Sequence, residues 1–358
     1  MKPQTRLFLL LGGTFSGLCF YLSFRNIPIQ SLRAYAAQVN PVWLLPALAA
    51  LAASYVIRTV RWRTLLSPFC TVRLASTYHA LIIGFMLNCI LPGRVGEIAR
   101  PMVLNRREPI PFLTGLSTLA AERLLDLAAL LALLAWTSSL ASLESQPVAF
   151  GVYRLDQAML LRIVRQTALL ALFLLAVVLS IGWAPCAARL TRLVRQAGQK
   201  SRFLGPRAHQ VVNVMTERFL VRSIAHVSAG LGIVQHPWRL LAAGGMSLAV
   251  WASNALAFQW LACGCPGIDL NYFEITMVMV VICLFIALPS VPGYWGLWEA
   301  AGLFALTRLG VPETPAAGYT LFNHAFQILA VLLAGWLSCL IVGFGWSRLT
   351  AELKRHGS

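Results

Sequence analysis

The sequence predicts an all-α integral membrane protein with about six full membrane spans and two broken, re-entrant hairpins arranged as an inverted repeat. Charged residues make up 11% of its 358 residues, whereas a soluble domain carries about 25%. Mean hydropathy is +0.73, and apolar runs near the roughly 20 residues that cross a bilayer recur along the chain. Two further apolar stretches are interrupted by Pro-Gly. Little sequence remains for a sizeable soluble catalytic domain.

The predicted spans are apolar runs bounded by polar or charged residues. They cover residues 7–24, 42–57, 113–137, 166–184, 240–262 and 318–346. The first run follows Lys2 and Arg6, as in a signal peptide, but no convincing small-residue cleavage site follows it. We therefore expect it to be a retained first span.

Charge predicts the topology. A net charge of +17 on a soluble chain would suggest a nucleic-acid partner, but cytoplasmic loops of membrane proteins are rich in Arg and Lys. Region 185–239 holds nine basic residues and one acid, and loop 58–74 and the tail after the last span are also basic. Loop 263–274 has two acids and no base. We expect a multi-pass protein of the cytoplasmic (inner) membrane, with both termini cytoplasmic and no nucleic-acid partner.

The two Pro-Gly breaks predict the repeat. Phe, Pro, Gly and Gly recur at a constant offset of 200, and Glu122-Arg123-x-x-Asp126 matches Asn323-His324-x-x-Gln327 at an offset of 201. The charges of the flanking loops place both ends of segment 75–99 inside and both ends of segment 274–309 outside, as in an inverted repeat. Chance recurrence of Pro and Gly is the alternative explanation of the match. The predicted units are residues 1–184, 185–239 and 240–358. The predicted structural breaks are Pro92, Gly93, Gly96, Pro292, Gly293 and Gly296.

Charges near these breaks are the candidate site, because a charge at the centre of a membrane helix costs at least about 2.5–3.5 kcal/mol. They would line a polar cavity for a charged headgroup or form an ion network that only fastens helices. The candidate substrate-binding residues are Arg58, Arg61, Asn88, Arg94, Glu97, Arg100, Glu122, Arg123, Asp126, Glu299 and His324. The first two, beside Trp62, fit either an interface anchor or a lipid-phosphate contact. The basic run 189–202 fits an interfacial helix or ordinary cytoplasmic charge.

A longer pattern resembles a known family. It comprises Arg58-x-x-Arg61-Trp62, Asn88-x-x-Leu91-Pro92-Gly93-Arg94-x-Gly96-Glu97-x-x-Arg100, Glu122-Arg123-x-x-Asp126 and Pro292-Gly293-x-x-Gly296-x-x-Glu299. It is similar to the transmembrane region of lysylphosphatidylglycerol synthases, the flippase-like domain family, over nearly the whole chain. The resemblance implies a lipid-translocating domain in a bacterial or archaeal cytoplasmic membrane.

This sequence departs from that family at two points. Full synthases carry a soluble aminoacyl-transferase domain after the membrane region, whereas this sequence ends at Ser358. The resemblance therefore implies that the chain does not aminoacylate lipids by itself. The family often has Arg where this chain has His324, which puts a charge-dependent role there in doubt.

Three functions remain open at this point. The first is movement of a phospholipid or other anionic lipid across the membrane, with no enzymatic activity, cofactor or metal. The second is an accessory subunit whose partners are lipid- or glycolipid-synthesis enzymes. The third is an intramembrane glycosyltransferase, which usually has acids in its first external loop; loop 25–41 has none. The identity of the lipid, the coupling ion and the oligomeric state are left open.

Overall fold

The chain folds almost entirely into α-helices. A computed structural model describes residues 3–25, 27–92, 94–140, 148–150, 153–155, 184–200, 212, 215–287 and 291–343. Gly93, nearly all of the predicted span 166–184 and the basic tail lie outside the described residues.

The helices of the N-terminal part bracket the first break. They are α1 (Pro3–Phe24), α2 (Ile29–Gln38), α3 (Leu44–Leu66), α4 (Leu74–Ile90), α5 (Val95–Asn105) and α6 (Phe112–Leu140). A short 3-10 turn, Pro41–Trp43, leads into α3. An antiparallel pair of three-residue strands, β1 (Val148–Phe150) and β2 (Tyr153–Leu155), follows α6.

The later helices bracket the second break. They are α7 (Ala184–Lys200), α8 (Arg222–Gly230), α9 (Pro237–Gly264), α10 (Tyr272–Phe285), α11 (Leu297–Arg308) and α12 (Glu313–Val342). A capping box starts α10: the Asn271 side chain accepts from the amide of Glu274, whose carboxylate accepts from the Asn271 amide at 2.8 Å. At the other end of this half, α12 ends at Gly343, whose φ of +66° is favoured by glycine.

Three helical segments of the described chain are long and apolar enough to cross a membrane: Pro41–Leu66, Pro237–Gly264 and Glu313–Val342. The shorter helices α4 and α10 are also apolar. Large apolar side chains such as Leu45, Leu241 and Ile341 are exposed on the outer surface. An all-helical surface of this kind suits a bilayer, because a helix satisfies its own backbone hydrogen bonds.

The helices pack reciprocally around the two breaks. α4 folds back on α5, and α10 folds back on α11. α4 also packs against α12, while α10 packs against α6. α3 and α9 lie along one another, and Ser54 Oγ donates to Asn254 Oδ1 at 3.4 Å. Each hairpin therefore contacts the long helix of the other half.

The prediction that Arg58 and Arg61 belong to a cytoplasmic loop is wrong. α3 continues to Leu66, and both arginines and Trp62 are buried on it. Both arginines take part in buried ion pairs. Carboxylates on α6 offset the cost of burying these cations, a compensation that the local sequence does not reveal.

Candidate functional site

The breaks themselves meet in the structure. Arg94 follows the first break in the left-handed region, with φ +55°, and its Nη2 donates to the Ile286 carbonyl oxygen at 2.6 Å. That carbonyl lies at the end of α10, where a helix leaves its last oxygens without internal donors. Tyr294, 200 positions after Arg94, is also left-handed, with φ +62°. The two breaks therefore share a backbone feature, and Arg94 of the first reaches the helix end that precedes the second.

Two glycines allow the close approaches at the breaks. A Cβ on Gly96 would collide with the Gly84 carbonyl oxygen of α4, and one on Gly296 would collide with the Ser16 carbonyl oxygen of α1. Gly296 also has φ +88°, a conformation that other residues rarely adopt. The spacing of Gly after Pro-Gly thus has a packing reason in both halves.

A partly buried charge cluster lies beside the first break. We define it by its members: Arg58, Arg61, Arg94, Glu97, Arg100, Glu122, Arg123 and Asp126. Arg61 Nη1 and Nη2 donate to the two Asp126 oxygens at 2.5 and 3.2 Å, and Nη1 also donates to Ser247 Oγ at 2.6 Å. These bonds tie α3 to α6 and α9.

Glu122 is the second anchor of the charge cluster. Arg100 Nη1 and Nη2 donate to its two oxygens at 3.0 and 3.2 Å, and Arg123 Nη2 donates at 3.0 Å. The Arg100 guanidinium lies 4.4 Å from the Trp62 ring centroid, and Trp62 Nε1 donates to Thr118 Oγ1 at 3.0 Å. Paired hydrogen bonds of this kind hold Arg rigidly.

The charge cluster carries more positive than negative charge. It contains five arginines and three carboxylates. Arg58 is paired less closely with Asp126 than Arg61 is: its Nη1 lies 3.7 Å from Asp126 Oδ2, compared with 2.5 Å for the closest Arg61 contact. The Arg58 guanidinium lies 4.9 Å from the Trp251 ring centroid. The Arg123 side chain is 37% exposed. A cluster with this surplus favours an additional anion.

A buried His–carboxylate pair lies beside the second break. His324 Nδ1 is 2.5 Å from Glu299 Oε1, and Nε2 is 2.8 Å from the Gly293 carbonyl oxygen. Glu299 Oε2 accepts from the Gly296 amide at 2.7 Å. The imidazole stacks on Trp298, with ring centroids 4.5 Å apart and planes 6° apart. The pair therefore ties α11, α12 and the second break together.

A chain of hydrogen bonds also runs along α12. Gln327 Nε2 donates to Asn323 Oδ1 at 2.8 Å, and Asn323 Nδ2 donates to the Tyr319 hydroxyl at 2.9 Å. Tyr319 in turn donates to the Phe258 carbonyl oxygen at 2.9 Å. Asn323 and Gln327 are thus joined in one network on the helix that carries His324.

A cavity of about 200 Å³ lies between the charge cluster and the His–carboxylate pair. Residues of both halves line it, because α3, α4 and α6 meet α9, α10 and α12 there. Its polar lining comprises Tyr55, Arg58, Asn88, Arg123, Asn254, Tyr294, His324 and Gln327. Apolar and aromatic residues, among them Phe85, Trp251 and Trp298, complete the wall.

Comparison with known proteins assigns the family. The profile of the family "Lysylphosphatidylglycerol synthase TM region" matches residues 9–335. The chain belongs to this family. It is also similar to "Glycosyltransferase AglD" of Haloferax volcanii, with 27% identity over 316 residues, or 81% of this chain and 48% of that protein. The chain thus spans about half the length of that relative. No solved structure matches it significantly.

The predicted site residues of this family member fall into four groups. Arg58, Asn88, Arg123 and His324 line the cavity. Four more are buried behind it or at its edge in ion pairs and are not among the described lining residues: Arg61, Arg100, Glu122 and Asp126. Arg94 and Glu97 lie at the first break, and Glu299 lies behind His324.

Sequence reasoning missed several of the residues that line the cavity. Trp251 and Asn254 belong to a run interpreted only as an apolar span. Asn254 carried a usable signal, since an amide inside a membrane helix needs a partner. Its partner, Ser54, lies 200 positions earlier, the same offset that relates the two breaks. Trp251 had no such signal.

Proposed function

We propose that this protein moves a phospholipid or another anionic lipid across the cytoplasmic membrane and binds its headgroup in the central cavity. The observation that carries the proposal is the positive surplus of the charge cluster, with Arg58 and Arg123 lining the cavity. Arg suits lipid phosphate because its planar fork donates two parallel hydrogen bonds and stays charged. Membership of the lysylphosphatidylglycerol synthase region supports a lipid substrate.

The cavity wall also suits a molecule with an apolar part. Phe85, Phe258, Met279 and Val331 contribute apolar surface next to the polar groups. A lipid presents phosphate to the arginines and its glycerol and first methylene groups to such a wall. The cavity is small, so we propose that it takes the headgroup while the acyl chains remain in the bilayer.

We further propose that the two halves form an inverted repeat and that their relative motion alternates access to the cavity. The exchanged packing supports it: α4 contacts α12, and α10 contacts α6. The matching left-handed residues, Arg94 and Tyr294, support it as well. In this arrangement both termini and region 185–239 are cytoplasmic, and the two hairpins enter from opposite faces.

The test of this function is lipid movement in vesicles. Purified protein is reconstituted with trace phospholipid that carries a fluorophore on one acyl chain, and a membrane-impermeant reductant bleaches the outer leaflet. We expect faster loss of inner-leaflet signal for phosphatidylglycerol than for phosphatidylcholine, relative to protein-free vesicles. Equal rates with and without protein for every headgroup would contradict the proposal.

A second candidate function rests on the similarity to a protein named glycosyltransferase. In this alternative the chain works within a glycolipid pathway, as an accessory membrane subunit or as the transferase itself. Incubation of the same vesicles with radiolabelled polyprenyl-phosphate sugar and a lipid acceptor tests it. Sugar transfer by the purified chain would favour the enzyme, and co-purification with a synthesis enzyme would favour the accessory subunit.

A further inference from the structure

His324 is held between two hydrogen-bond acceptors. Its Nδ1 faces a Glu299 oxygen at 2.5 Å, and its Nε2 faces the Gly293 carbonyl oxygen at 2.8 Å. A carbonyl cannot donate, and a neutral imidazole carries a single N–H. Both contacts are hydrogen bonds only if a proton is added to neutral His324 and ionised Glu299.

That proton can be assigned in two equivalent ways. Either His324 is an imidazolium beside a carboxylate, or neutral His324 donates from Nε2 and accepts a hydrogen bond from protonated Glu299. In both descriptions the pair contains the added proton and has no net charge. When the proton leaves, the pair carries one negative charge and has one N–H for two acceptors. One contact must then become repulsive, in a site where both side chains are at most 1% exposed.

We propose that Glu299 and His324 form a proton-binding site whose protonation holds the second break closed against α12 and whose deprotonation opens the cavity. The contact that depends on protonation joins His324 on α12 to the Gly293 carbonyl oxygen inside the break. The break in turn packs on α4, where a Cβ on Gly293 would lie 3.4 Å from the Cys89 carbonyl oxygen. His324, Tyr294 and Cys89 all line the cavity, so loss of the contact changes the cavity wall.

Other charged or titratable groups lie on the elements that pack around this pair. Those that line the cavity with His324 are Tyr55 and Arg58 of α3, Cys89 of α4, Arg123 of α6, Cys283 of α10 and Tyr294 of the break. Arg94 lies over the Tyr294 ring from the first break, Tyr35 of α2 packs on α12 at Gly318, and Tyr319 lies on α12 itself. Arg stays protonated throughout, and Tyr and Cys lose protons at about pH 8.5 or above in ordinary surroundings. Histidine is the side chain whose charge ordinarily changes between about pH 5 and 8. Among these groups, the His–carboxylate pair is the one whose two contacts both require an added proton.

The inference adds a coupling proton to the proposed transport role, but its test needs no lipid substrate. The probe is the labelling rate of Cys89 by a maleimide, with the other seven cysteines replaced by alanine. Rates are measured between about pH 5.5 and 8.5, where one proton can shift an opening equilibrium by up to about tenfold per pH unit. Failure here with intact lipid movement would remove the proton switch alone.

Two matched variants separate opening of the cavity from thiol chemistry. His324→Arg keeps donors towards both acceptors at every pH. In Glu299→Gln the amide can donate to Nδ1 while neutral His324 donates to Gly293, so the break stays closed without the added proton. The labelling rate of either variant therefore reports the pH dependence of the Cys89 thiol itself. If one variant does not fold, the other supplies the comparison.

We expect the ratio of the unsubstituted protein's rate to the variant's rate to rise at least about tenfold with pH, in a one-proton transition. A ratio independent of pH would overturn the proposal. A Glu299→Gln rate that rises as steeply as that of the unsubstituted protein would also overturn it, because the proton would then bind elsewhere.

Discussion

Arg61 of α3 and Asp126 of α6 form a buried bidentate ion pair, with donor–acceptor distances of 2.5 and 3.2 Å. The Arg61 side chain is fully buried, and it also donates to Ser247 of α9. Through Arg61, this pair joins three helices. It holds Asp126 in place, and Asp126 in turn is the carboxylate nearest to Arg58.

The first prediction concerns this pair. Arg61→Ala should lower the free energy of unfolding by about 3–5 kcal/mol, because it leaves a buried carboxylate short of its partner. Asp126→Asn should also be destabilising. The double variant Arg61→Met, Asp126→Leu should be more stable than the sum of the single losses predicts, since neither residue is then left buried without the other. Unfolding in detergent by denaturant measures all three; strictly additive losses would contradict the ion-pair account.

A second prediction tests the close approaches at the breaks. Gly96→Ala should destabilise the protein by about 1–3 kcal/mol, because its new methyl group collides with the α4 backbone. Gly244→Ala in α9 is the control, since a Cβ there meets nothing within 4 Å in the described chain. It should be neutral or stabilising by up to about 1 kcal/mol through helix propensity. Thermal unfolding of both variants measures these changes in stability. Equal changes would contradict the packing role of Gly96.

The third prediction concerns α7, an exposed amphipathic helix. Arg189 and Arg192 are exposed on it, as are Leu190 and Leu193. A peptide of residues 184–200 should bind vesicles with anionic lipid more tightly than zwitterionic vesicles, by about 1 kcal/mol per basic residue near the surface. Replacing both arginines by Gln should remove much of that difference, and added salt should weaken it. Equal binding to both vesicle types would mean that α7 carries ordinary cytoplasmic charge.

The breaks could be predicted from sequence because local chemistry determines them. Proline cannot continue a hydrogen-bonded helix, glycine permits left-handed backbone, and apolar runs of limited length fix the arms around them. α4 accordingly ends at Ile90, two residues before Pro92, whereas α10 ends at Phe285, seven residues before Pro292. That the matching residues mark an inverted repeat stays a prediction.

The buried arginines could not be predicted in the same way. Arg58 and Arg61 follow an apolar run, which is also the pattern of a cytoplasmic flank. Whether such a cation enters the membrane depends on a carboxylate more than 60 positions later. Likewise, the sequence does not show what His324 contacts. The structure places it between Glu299 and the Gly293 carbonyl oxygen. Tertiary contacts decide both cases.

A comparison of arginines that line the cavity with one that does not tests whether the cavity binds a lipid headgroup. Arg58→Ala and Arg123→Ala should each slow movement of fluorescent phosphatidylglycerol in reconstituted vesicles by at least about tenfold, because a charge-assisted phosphate contact contributes about 1.5–3 kcal/mol. Arg63→Ala is the matched control: Arg63 lies on α3, is exposed, and donates to the Val72 carbonyl outside the charge cluster. All three variants must retain the thermal stability of the unsubstituted protein for the comparison to count, and Arg58→Lys and Arg123→Lys replace any that do not. We expect loss of transport in the cavity variants and normal rates for Arg63→Ala; folded cavity variants that move lipid at the unsubstituted rate would contradict the claim that the cavity binds the headgroup.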